Sequence, residues 1–143
     1  MSLRNSGPYG LPKPANEPVV AGIGLTTDIS ANSTPIVYDT VEYDTHRAYS
    51  VITGVYTAPV EGVYRVGVTG YQGGTVNLLL DVNGVNIQYL TVLNANNVQN
   101  SSTSVSLKQN DKLSVISAGN TTYVGSTTPG SGYFNYLSIE KIS

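Results

Sequence analysis

Three segments of the chain alternate apolar and polar residues with a period of two. Within 75–82, one face would carry four apolar side chains, those of Val76, Leu78, Leu80 and Val82. Segments 63–69 and 102–108 repeat the pattern, with Tyr64, Val66 and Val68 in the first and Thr103, Val105 and Leu107 in the second. Successive side chains of a strand point to opposite faces, so this period predicts half-buried β-strands. No window shows a helical stripe, and the fold class predicted is all-β.

Turn-forming residues separate the predicted strands. Asn83-Gly84 follows an alternating run and supplies the positive φ of a tight hairpin. Asn110 tolerates the same conformation in the turn at 109–111. We expect strands near 19–26, 35–38, 50–57, 62–70, 75–82, 86–92, 102–108, 112–118 and 133–142. Short strands at about ten-residue spacing are typical of a sandwich or jelly roll.

The composition limits the function classes. The 143 residues give room for one domain, and the absence of cysteine rules out disulfides and cysteine-based zinc sites. Only 11% of the residues are charged, so the polar surface must consist of Ser, Thr, Asn, Gln and Tyr. The seven basic residues are scattered, which argues against nucleic-acid binding. The longest apolar run, 19–25, is too short for a membrane span.

Residues 1–18 form a separate region before a head domain at 19–143. Four of the seven prolines lie there, and proline disfavours helix, so this region is expected to be an extended arm. It is either a disordered tail or an arm that lies along a neighbouring subunit or partner, with Pro8, Tyr9, Pro12 and Pro14 as anchoring residues. The first residues lack the apolar core of a signal peptide. Either an export signal was trimmed or the protein is made and assembled inside a cell.

The segment Gly54-Val-Tyr-Thr-Ala-Pro-Val-Glu-Gly-Val-Tyr64 resembles the central motif of the globular heads of complement component 1 subcomponent q, which share a jelly roll with tumour necrosis factor. Pro35 to Thr40, Leu107 to Val115 and Tyr133 to Ile139 resemble its early, middle and closing strands. The resemblance covers about 20–142. It implies a ten-stranded jelly roll that assembles as a tight homotrimer.

The resemblance also implies a set of trimer and core residues: Gly54, Tyr56, Pro59, Gly62, Tyr64, Phe134 and Tyr136. Two positions depart from the family. Asn110 replaces a usual glycine, and Tyr136 occupies a small-residue position near the subunit interface, so a trimer seam here would be packed differently. The eleven tyrosines are expected to serve mainly as core and interface aromatics.

The sequence shows no arrangement of residues that is typical of an enzyme active site. The single histidine, His46, follows Asp44 by two residues, but no nucleophile elbow accompanies them, and a lone histidine is a poor metal site. Some relatives hold calcium near the trimer apex. Here the carboxylates of Asp39, Glu42, Asp44, Asp81 and Asp111 are dispersed, which favours solvated turn residues over a calcium site, and no cofactor is expected.

The function hypothesis is a non-enzymatic virion structural protein, a trimeric bacteriophage capsid decoration or head-fibre protein at the virion surface. A chain starting at Met1 without an export signal, very low charge and an extended arm before a head motivate it. Its partners would be itself and capsid protein. The alternative is an extracellular receptor- or glycan-binding head that uses the loops at 94–100 and 120–132. An enzyme ranks third.

Overall fold

The computed structural model of the chain describes residues 17–126 and 132–143. Eleven strands and no helix form within them. The strands are β1 Val20–Gly24, β2 Ile29–Ala31, β3 Thr40–Asp44, β4 Tyr56–Thr57, β5 Gly62–Gly70, β6 Val76–Val82, β7 Val85–Leu93, β8 Gln99–Leu107, β9 Lys112–Ala118, β10 Thr121–Tyr123 and β11 Tyr136–Lys141.

The strands are arranged in two main antiparallel sheets. A five-stranded sheet has the order β3-β1-β11-β5-β8, and a four-stranded sheet has the order β4-β9-β6-β7. The short strands β10 and β2 pair with each other. The prediction of an all-β sandwich is confirmed.

The core lies between the two sheets and is rich in tyrosine. Tyr38, Tyr56, Tyr64 and Tyr123 are almost completely buried among Ile, Leu and Val side chains. In the alternating segments, the apolar face points into this core, and Ser102, Ser104 and Ser106 of β8 point outward. Period-two alternation therefore marked both the strands and their buried faces.

The predicted strand at 35–38 is wrong, the one at 50–57 is too long, and three observed strands were not predicted. Segment 35–38 alternates because Ile36 and Tyr38 are buried, but it contributes only a bridge from Pro35 to Ile116. Segment 50–57 forms a strand only at its last two residues, because a turn with Gly54 at φ 74° precedes them. The strands β2 and β10 are three residues long, too short to show a period. β3 was missed because it is short and runs into the polar stretch 43–47, which is typical of a loop.

The anchoring residues predicted for the arm, Pro8, Tyr9, Pro12 and Pro14, lie outside the described residues. The boundary between arm and head at residue 18 stays a prediction. Within the described part of the chain, no helix could cross a membrane.

Candidate interface on the five-stranded sheet

The outward face of the five-stranded sheet carries a row of small residues. Gly67 of β5 lies between Ser102 of β8 and Ser138 of β11, and Ser138 lies opposite Gly22 of β1. Residues at neighbouring register positions of a sheet share one face. At Gly67, the row leaves the face flat, so another surface can approach the backbone closely there.

Tyrosine rings lie directly over the glycines of β1. A methyl group at Gly22 would overlap the Tyr136 hydroxyl and would come within 2.6 Å of the Tyr43 ring. A methyl group at Gly24 would overlap the ring of Tyr133. Glycine at these two positions therefore lets the three rings lie against the sheet.

We call Tyr43, Tyr133 and Tyr136 the aromatic patch. The rings of Tyr133 and Tyr136 lie 5.5 Å apart between centroids and are tilted by 33°. Burial raises the pKa of the Tyr136 hydroxyl, and its interactions with Tyr43 and Glu42 raise it further. The patch is thus connected by ring contacts and by hydrogen bonds. Tyr43 keeps almost half of its surface exposed.

A shallow depression adjoins the aromatic patch. It encloses about 220 Å³ over Gly67, between Tyr136 on one side and Asn100 to Ser102 on the other. Most of its lining residues are Gly, Ser, Thr and Asn. The depression is open, so it could receive a side chain from another surface.

A second exposed surface lies at the edge of the other sheet. Four apolar side chains of β7 are 45–70% exposed, and we call them the β7 patch: Val85, Ile87, Tyr89 and Val92. β7 is the last strand of the four-stranded sheet, so one of its backbone edges has no strand partner in the described chain. The Ser101 hydroxyl donates to the Leu90 carbonyl at 2.7 Å and ties β7 to β8 across the sandwich edge.

Four of the residues implied by the resemblance lie at the turn between β4 and β5, whereas Gly54 lies in the turn before β4. The rings of Tyr56 and Tyr64 pack edge to face at 6.2 Å, with Pro59 in the turn and Gly62 at the start of β5. The Tyr64 hydroxyl donates to the Val60 carbonyl at 2.6 Å. This group is a packing unit of the core.

Phe134 and Tyr136 lie elsewhere. Tyr136 pairs with Thr69, near the opposite end of β5 from Tyr64. The Phe134 ring is 46% exposed and lies 5.3 Å from the ring of Tyr71. The structure therefore separates the seven residues into a core unit of four, Gly54 in the turn before β4, and two aromatic residues at or just before the start of β11.

Three of the carboxylates considered for calcium accept hydrogen bonds from backbone N–H groups close by in the sequence. Asp44 accepts from the backbone N–H of Tyr49, Asp81 from that of Gly84, and Asp111 from that of Lys108. His46 contacts its neighbour Thr45 through Nδ1 at 2.9 Å. No group of three or more His, Asp or Glu side chains that could hold a metal ion occurs in residues 17–126 and 132–143.

The sequence profile of the C1q domain matches residues 21–136, which is well over half of the chain. The chain belongs to the C1q domain family. This match confirms the resemblance seen in the central motif. No curated protein sequence matches this C1q domain.

Solved structures agree on the fold of this C1q domain. The globular domain of zebrafish complement 1qA protein is 16% identical, with a TM-score of 0.63, and the match covers 86% of this chain and 94% of that one. Murine APRIL is 15% identical with a TM-score of 0.63, covering 88% and 100%. Eiger TNF from S. frugiperda is 16% identical with a TM-score of 0.58, covering 88% and 93%. The predicted jelly roll of the complement and tumour necrosis factor type is therefore confirmed.

Sequence reasoning missed the glycine row and most of the aromatic patch of this C1q domain. One signal was present, because Gly22 and Gly24 are two residues apart and so share a face of β1. Tyr43 gave no signal, since it lies on a strand that was not predicted.

Proposed function

We propose that this C1q domain is the head of a homotrimeric, non-enzymatic virion structural protein, a bacteriophage capsid decoration or head-fibre protein. The observation that carries the proposal is the flat, glycine-floored face with its aromatic patch, together with the separate β7 patch. Contiguous exposed apolar surface on a small domain marks an interaction site. Aromatic side chains are enriched where binding energy concentrates.

Two different surfaces on each chain are what a cyclic trimer requires. In a head-to-tail ring, one patch of each copy meets another patch of the next copy. The aromatic patch and the β7 patch lie on different sheets, so they can meet in neighbouring copies. Tyr89 is 70% exposed, and the depression over Gly67 offers its ring a place to insert. Small residues in the row would let the two backbones approach closely.

The virion assignment is supported by the low charge of the chain and by its hydroxyl and amide surface. Only 11% of the residues are charged, against about 25% in typical soluble domains. The outward face of β8 is built from Asn100, Ser102, Ser104 and Ser106. Surfaces of hydroxyl and amide groups are common on proteins exposed at the outside of virions and cells.

Immunoelectron microscopy of particles purified from the source of the gene tests this assignment. Antibodies against the head should label assembled capsids at their outer surface. Label found only in the particle-free fraction would contradict the virion role and would leave the trimeric head untouched.

The alternative is an extracellular receptor- or glycan-binding head. One observation favours it, because the exposed Phe134 ring stands at the same end of the sandwich as loop 94–98. Gln72 joins this region by donating to the carbonyl groups of Gly74 and Asn94 at 3.0 Å. On a glycan array, wild type should then bind and Phe134→Ala should not, with the molecular mass of both unchanged. Absence of binding by wild type would count against this alternative.

A further inference from the structure

A groove on the outer face of the four-stranded sheet shares no residue with the aromatic patch or the β7 patch. Its far part encloses about 580 Å³ and its near part about 330 Å³. Val55 and Lys112 line both parts, so the two form one continuous groove. It runs from segment 47–53 across β4, β9 and β6 to the turn at 83–84. Crossing three strands takes about 10–15 Å, which equals about three to five residues of extended peptide.

The floor of the groove is apolar. Pro35, Val55 and Ile116 supply this surface, and all three are half-buried, so part of each remains accessible. Beside the near part, Ile52 is 83% exposed on the turn at 50–53. Exposed apolar surface of this kind is stabilised when another surface covers it, and it marks an interaction site.

The near part of the groove carries positive charge. Arg47 and Lys112 line it, and its lining contains no carboxylate. The ion pair formed within the described residues joins Arg65 to Glu140 and involves neither of these two cations. Both are therefore available to an anionic group from another molecule.

This positive end contrasts with the rest of the head. Residues 17–143 contain five basic and nine acidic side chains, and two of the five basic ones line this groove. Arg47 also has φ 50°, a left-handed conformation that is uncommon for residues other than glycine, asparagine and aspartate. Backbone held in such a conformation is found preferentially at functional sites.

The acidic residues near the groove lie away from this positive end. Asp81 lines the far part and is only 9% exposed. Asp111 lies outside the lining, and its two carboxylate oxygens accept hydrogen bonds from the Asn83 side-chain amide and the Lys108 N–H. The groove is thus apolar along its floor and positive at its near end.

We propose that this groove binds an extended acidic segment of a partner protein. An apolar side chain of the segment packs on Pro35, Val55 and Ile116. The carboxylate groups of the segment lie at Arg47 and Lys112, where complementary charge fixes the register of binding. The groove belongs to a single head, so this binding does not depend on the trimer or on the virion role.

Selection of peptides from a random library tests the proposal. Short random peptides are selected against the full chain, and the recovered peptides should be enriched in Asp and Glu beside apolar residues. On titration with a recovered peptide, the amide signals of Val55 and Ile116 should shift. Raising the salt concentration should weaken binding, because the cations of the groove are exposed to solvent.

A matched pair of charge reversals locates the binding. Lys112→Glu should weaken binding of a recovered peptide by about fivefold or more, because attraction is replaced by repulsion. Lys108→Glu makes the same charge change at an exposed position outside the lining, and it should leave the affinity unchanged. Light scattering should give one mass for both variants and wild type, so that an effect on assembly is recognised separately.

Three outcomes would overturn the proposal. In the first, the selection recovers no peptide, or peptides without enrichment in Asp and Glu. In the second, the recovered peptides shift amide signals only outside the groove. In the third, Lys112→Glu and Lys108→Glu have the same effect on affinity, so the attraction comes from overall charge and not from the groove.

Discussion

At the scale of single residues, the buried tyrosine hydroxyl groups differ in how well they are satisfied. The Tyr49 hydroxyl accepts from the Tyr38 N–H at 2.8 Å and donates to the Tyr38 carbonyl at 3.2 Å. The Tyr56 hydroxyl is buried and has no hydrogen-bond partner in the described chain. Substituting these two tyrosines therefore measures how much a buried hydroxyl group contributes to the free energy of unfolding, with and without hydrogen-bond partners.

We expect Tyr49→Phe to lower the free energy of unfolding by about 1–3 kcal/mol, because it leaves the buried Tyr38 N–H without an acceptor. Tyr56→Phe should be neutral or stabilising, since it removes an unsatisfied hydroxyl group. Urea denaturation at one chain concentration compares the two variants. A loss at Tyr56→Phe as large as that at Tyr49→Phe would mean that the Tyr56 hydroxyl has a partner.

Asp39 gives a prediction about pH. Burial acts to raise the pKa of its carboxyl group, but hydrogen bonds from the N–H and hydroxyl of Thr26, the hydroxyl of Thr40 and the N–H of Thr27 outweigh it and lower the pKa. A carboxyl group with a lowered pKa in the folded state stabilises the fold above its unfolded pKa of about 3.9, and this contribution is lost as the pH falls through the folded pKa.

Asp39→Asn should therefore be less stable than wild type at neutral pH and should lose less stability on acidification below about pH 4. Thermal unfolding followed across this range measures the difference. Glu61→Gln, an exposed carboxyl group in the turn before β5, is the control. Parallel stability curves for wild type and Asp39→Asn would contradict the role given to the hydrogen bonds.

At the scale of elements, the sequence predicted those strands whose two faces meet different surroundings. β5 and β8 alternate because one face is in the core and the other is exposed or half-buried. β6 alternates in sequence although Leu79 and Asp81 on its outer face are buried as well. In β3, Val41 and Tyr43 are exposed, and the polar stretch that follows them hid the strand from sequence analysis. The aromatic patch combines residues from β3, β11 and the segment before β11. Its assembly depends on the pairing of β1 with both strands, which no local pattern encodes.

The turn before β4 depends on one glycine. Gly54 has φ 74°, and a methyl group there would lie 2.9 Å from the Ile36 carbonyl oxygen. Gly54→Ala should destabilise the fold by about 1–3 kcal/mol, because an L-residue is strained at this φ and the added contact is with backbone. Gly73→Ala is the matched control, since a methyl group there would meet nothing within 4 Å. Equal stability of the two variants in urea would contradict this account of the turn.

At the scale of the whole molecule, the proposed ring predicts how defective chains complement each other. Ser102→Arg places a long charged side chain on the flat face, and Tyr89→Asp removes the most exposed ring of the β7 patch. Each variant alone should be monomeric. An equal mixture should form a species of two chains, because one intact face can still meet one intact β7 patch.

Thr122→Arg is the control, because it adds the same side chain at an exposed position of β10. This variant should keep the mass of wild type. If the mixture of Ser102→Arg and Tyr89→Asp stays monomeric, the two surfaces are not partners in one contact.

The central claim is that this C1q domain forms a homotrimer. The molecular mass of the wild-type chain in solution tests this claim most directly. Light scattering across a dilution series should give three times the 15.1 kDa of one chain. A mass of 15.1 kDa at every concentration would contradict the claim. The flat face and the β7 patch would then be free surfaces of a monomer.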